Sequence, residues 1–176
     1  MHRHLTLIVG LLALAVPAFA LDMPPRKPGL WEIKLNFEGR NLPAQVIKHC
    51  VDQTTDKLMN AQFSGAQVAC SKQDMKNSGG TITIDSVCKF GDATTTSHTV
   101  ITGSFDSAYM MRVTSSREGG RPLPGATPGG ETHMNLEAKY LGPCEAGQKP
   151  GDMIMANGMK MNILDMPKMG APPPRP

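Results

Sequence analysis

The chain has 176 residues, with 18 basic against 15 acidic side chains and a formal net charge of only +3. A single Trp, two Tyr and no basic block leave neither the clustered cationic surface nor the stacking aromatics that nucleic-acid binding requires. That balance excludes a nucleic-acid partner and leaves a chain long enough for one domain with a real core.

Arg3 and the α-amino group form a basic start, Leu5 to Val16 is an apolar run, and Ala18-Phe19-Ala20 is a small-x-small site. This is the pattern of a cleaved secretory signal over residues 1–20, with a mature chain from Leu21. The apolar run falls short of the ~20 residues a membrane helix needs, so no span is expected after cleavage. Residues 21–27 form an N-terminal arm, and residues 28–165 a single β-rich domain.

"LWEIKLNF" alternates, with Trp31, Ile33, Leu35 and Phe37 on one side and Glu32, Lys34 and Asn36 on the other. Period-two alternation marks a half-buried strand, and these four apolar residues are the expected core or cavity wall. Glu38 to Asn41 is a turn into a second strand, Ala44 to Val51. "DQTTDKLMNA" follows as a short connector helix, with Asp52 or Thr54 available as N-cap. Strands Val68–Lys76 and Thr81–Phe90 then face each other across "NSGG".

Four cysteines follow the signal, an even count that in an exported chain predicts two disulfides. A four-thiolate zinc site would favour C-x₂-C pairs, which are absent. A three-residue loop Ser78-Gly79-Gly80 sets Cys70 directly opposite Cys88, at bridging distance. It also sets Lys76 against Ile82 and Asp74 against Ile84, so the apolar face belongs to one strand alone. Cys50 is left to pair with Cys144.

Two further strands flank a turn at Asp106-Ser107. Arg117 to Gly130 is too rich in Gly and Pro for helix or strand and reads as a mobile loop. "THMNLEAKYLG" resumes alternation, and residues 166–176 read as a Pro-rich disordered tail. Seven to nine short strands with one connector helix predict an all-β fold, an antiparallel sheet closed or folded into a small barrel or sandwich.

"GDMIMANGMKMNILDM" admits two readings. Thioethers favour Cu(I), and Met153, Met155, Met159 and Met161 would be its ligands. Alternatively Asn157-Gly158 makes a two-residue type I′ hairpin turn. That register puts Ile154, Ala156, Met159, Met161 and Ile163 on one apolar face, and Met153, Met155, Lys160 and Asn162 on the other. Packing accounts for more of the residues, since methionine fills irregular space. No catalytic motif is present. His98, Ser104 and Asp106 share a nominal strand face, the most that a hydrolase reading finds.

Pro28-Gly29-Leu30-Trp31-Glu32, Cys50 before a polar helical turn, Cys70, Cys88 and Leu141-Gly142-Pro143-Cys144 together resemble domain-of-unknown-function family 3617. The resemblance covers Pro28 to Cys144. It implies a periplasmic, disulfide-bonded, β-rich bacterial domain and carries no activity or site residues. Gly29-Leu30-Trp31 also echoes the first strand of lipocalin barrels, an analogy of fold alone. The expectation is a non-catalytic domain without a cofactor, binding a small apolar ligand or an envelope protein. Cu(I) or Ag(I) binding through the four methionines is the alternative.

Overall fold

Alternation sets the first element: β1 (Gly29–Phe37) runs antiparallel to β2 (Gln45–Val51), with Trp31 opposite His49 and Ile33 opposite Ile47. The computed structural model describes residues 23–39, 43–63, 69–120 and 130–166. The signal segment, residues 121–129 of the expected Arg117–Gly130 loop and nearly all of the tail lie outside the described residues; Arg117 to Gly119 are strand rather than loop, held by the ladder to Ala93–Thr95.

After β2 the chain forms α1 (Gln53–Phe63). Asp52 caps it reciprocally: its Oδ1 accepts from the Thr55 N–H at 2.7 Å, and Thr55 Oγ1 accepts from the Asp52 N–H at 3.0 Å. Hairpins follow in chain order, β3 (Ala69–Ser78), β4 (Thr81–Phe90), β5 (Ala93–Ser104), β6 (Ala108–Gly119) and β7 (Glu131–Gly142). The short β8 (Asp152–Met155) and β9 (Lys160–Asn162) lead into a 3-10 turn, Ile163–Asp165.

Among the described residues nine strands form one antiparallel sheet in the order β3-β4-β5-β6-β7-β1-β2-β8-β9. The all-β expectation holds, but the sheet is open, with β3 and β9 as its edges. Its two ends are poorly matched for closure, since β3 has ten residues and β9 three.

One row crosses the apolar face and forms the core: Val51, Trp31, Ala138, Tyr109, Ile101 and Ile82. Trp31 is fully buried, with Tyr140 edge-on at 5.6 Å and Tyr109 tilted at 5.8 Å between centroids. Ile33, Met111, Leu136 and Ile84 pack against that row.

Two hairpin registers differ from expectation. Gly79-Gly80 is the whole β3–β4 loop, and their φ values of +59° and +80° supply the two left-handed positions of a type I′ turn. Met75 therefore faces Ile84, and both strands contribute to the apolar face. A bulge between Cys70 and Lys72 restores the Cys70–Cys88 pairing. The disulfides are Cys70–Cys88 and Cys50–Cys144.

In β8–β9 the shift runs the other way. Met153 faces Met161 and Ile154 faces Lys160. The Gly158 N–H donates to Met155 O and the Met155 N–H to Met159 O, each at 2.9 Å, so the loop is Ala156-Asn157-Gly158. Gly158 has φ +80° and among the described residues, Asn157 included, no non-glycine residue has positive φ, which excludes type I′ at Asn157-Gly158. A one-residue slip flips each side chain on one strand relative to the other. The expected split of the methionines is therefore overturned.

Candidate functional site

The most deeply buried polar cluster joins the N-terminal arm, β2 and α1. His49 falls between Ile47 and Val51 on the apolar face of β2 and is fully buried. The first turn of α1 delivers Asp56, also fully buried. Arg26 enters from the arm: its backbone N–H donates to Asp56 Oδ2 at 2.8 Å and its Nε to Oδ1 at 2.7 Å. Arg26 thus ties this part of the arm to α1.

A guanidinium only donates, so the 3.2 Å contact from Arg26 Nη2 makes His49 Nδ1 an acceptor. His49 is then neutral with its proton on Nε2, an atom that is buried without a hydrogen-bond partner. Burial, reinforced by the Arg26 charge, holds the imidazole down at about 3. The Arg26 guanidinium lies 5.9 Å from the Trp31 ring centroid, and the Trp31 indole N–H donates to Lys27 O at 2.8 Å. Burial pushes the Tyr109 phenol up, against the opposing Arg26 charge. A neutral, enclosed imidazole beside a paired guanidinium suits locking the arm to the sheet better than proton transfer to a substrate. Sequence reading missed this cluster, although a histidine on the Ile47–Val51 face was a visible signal.

The four expected wall residues divide. Trp31 is core, Ile33 packs against it, and Leu35 and Phe37 lie half-buried farther along the same face. Three hollows of about 600, 500 and 230 Å³ open elsewhere. The largest is lined by Lys34, Asn36, Arg112, Asn135 and Glu137 among others. By strand alternation these belong to the polar face of the sheet.

His98 hydrogen-bonds Asp85 across β4–β5 at 2.7 Å. Ser104 instead accepts from the Asp106 N–H at the β5–β6 turn, about 20 Å along the strand from His98 at ~3.4 Å per residue. The structure does not bring His98, Ser104 and Asp106 together. His133 contacts Thr114 at 3.2 Å and Glu131 at 3.1 Å. Among the described residues no three His, Cys, Asp or Glu side chains gather as a metal site.

The sequence model of the family described as "Protein of unknown function (DUF3617)" matches residues 26–144. The chain belongs to this family. Its matched segment in this DUF3617 member starts at the buried Arg26 and ends at Cys144, so β8 and β9 lie outside it. No curated protein and no solved structure matches the chain.

Proposed function

We infer that this is a periplasmic, non-catalytic binding domain that takes a small apolar ligand on the sheet face carrying Ile33, Leu35 and Phe37. One observation carries the reading. The apolar face runs across β2, β1, β7, β6 and β5, and its buried side chains concentrate in the row through Trp31. Leu35, Phe37, Met134, Leu136 and Val113 beyond it are half-buried. A sheet face of this kind needs a second layer, and α1, the one α-helix among the described residues, packs against β2 and the 3-10 turn at one end. An apolar ligand would supply the missing cover for the remaining rows.

The chemistry of the polar side chains supports binding over turnover. His49 is locked neutral, His98 sits in an exposed cross-strand pair with Asp85, and His133 contacts Thr114 and Glu131. A native mass spectrum of protein taken from its own periplasm tests the reading, alongside titration with an apolar fluorophore. Retained mass that leaves on denaturation, and fluorophore binding weakened at least about tenfold by Leu35→Asp, are the expected results, because a buried charge without a partner is costly. A bare mass with no fluorophore binding would overturn the ligand and favour an envelope protein on the same face.

A further inference from the structure

We propose that Met153, Met155, Met159 and Met161 form a sulfur-only site for a soft monovalent cation, Cu(I) or its analogue Ag(I). The register carries the inference. Met153 stands directly opposite Met161, and Met155 closes the loop against Met159 through a 2.9 Å backbone hydrogen bond. Met153 and Met155 are two residues apart on β8, as are Met159 and Met161 on the return strand. All four therefore occupy one face of the hairpin as a two-by-two array.

In such an array facing residues have Cβ atoms about 5 Å apart and same-strand neighbours lie about 7 Å apart. Long unbranched methionine side chains can converge on a single ion from those positions. Thioethers are neutral and polarisable, so they select Cu(I) and Ag(I) over harder ions. They need no deprotonation to bind.

The opposite face of the hairpin holds the array in place. Lys160 Nζ pairs with the buried Asp152 at 2.7 Å and donates to Gly147 O at 3.1 Å. Asn162 Nδ2 donates to Asp152 Oδ1 at 2.9 Å and to Pro150 O at 3.1 Å. The only charges on these two strands are thus paired together, away from the sulfurs.

Packing alone does not account for Met159, which is 50% exposed, while Met153, Met155 and Met161 are half-buried. His49 is the cross-strand neighbour of Met153 on β2, but its Nδ1 is held by Arg26 and its Nε2 keeps the proton. The nitrogen is therefore not a ligand, and the set is thioether alone. All four cysteines are in disulfides and offer no competing thiolate.

The test is an Ag(I) titration of the oxidised full chain, followed by calorimetry and by NMR of ¹³C-methyl methionine. One equivalent should bind and move the methyl signals of these four residues, leaving those of Met75, Met110 and Met111 in place. Changing all four to Leu should lower affinity by at least about 100-fold, since it removes every proposed donor atom while keeping side-chain size. Unchanged affinity in a folded quadruple variant would overturn the site. So would an absence of binding, or shifts confined to other methionines; the NMR result decides even where the variant fails to fold.

Discussion

His49 is the residue whose chemistry is most altered by its place in the fold. Its imidazole is held at about 3 in the folded chain, below its ordinary 6.5, by burial and by Arg26. The unfolded chain therefore binds the extra proton first, and stability is complete above pH 6.5 and falls as pH drops toward 3. Between pH 7 and 4.5 the loss should be about 2 to 3 kcal/mol. In that window Asp52, Asp85 and Asp152, each depressed below the ordinary carboxylate range, remain charged. Urea unfolding at the two pH values measures the loss. His49→Gln should flatten the difference, and an equal slope in the variant would assign it elsewhere.

At the scale of elements, α1 is more than a connector, because its first turn places Asp56 against Arg26. The Asp52–Thr55 box orients that turn. Asp52→Ala should cost about 1 kcal/mol, read by denaturant unfolding, with hydrogen exchange in α1 rising more than in β5 or β6. Uniform exchange across the chain would show that the cap does not act locally. The two hairpins teach a related lesson. Gly79-Gly80 takes the type I′ turn its dipeptide favours, whereas Asn157-Gly158 does not. Register in β8–β9 is set by Asp152 facing Asn162 and by β8 docking on β2. A two-residue turn would carry Asn162 to the wrong face and break that network.

For the molecule as a whole, the two disulfides act on very different lengths of chain. Cys50–Cys144 spans a separation of 94 residues and Cys70–Cys88 one of 18. Loop-closure entropy assigns about 4.7 kcal/mol to the first and about 3.2 kcal/mol to the second. Replacing both members of the long pair by Ala should therefore lower unfolding free energy by ~1.5 kcal/mol more than replacing the short pair. Guanidinium titrations of the two double variants compare them directly; a larger loss from the short pair would contradict the ordering. The long bridge also ties β2 to the segment just past β7, across β1 in the sheet order. The short one pins an edge strand.

Much of the architecture was legible without coordinates. Alternation in "LWEIKLNF" and "THMNLEAKYLG" defined strands and their apolar faces, because a pleated strand must expose every second residue. Glycine and proline placed the turns, and an even cysteine count implied the bridges. What alternation cannot carry is an interaction between distant segments. Sheet closure depends on whether the first and last ladders can meet, and here ten residues face three. The Arg26–His49–Asp56 lock unites residues 23 and 30 apart through the tertiary packing alone. The methionine register turned on a single residue of loop length, decided by a buried aspartate on the far face of the hairpin. Local preference proposes a turn, and the network it must fit selects among the registers that turn allows.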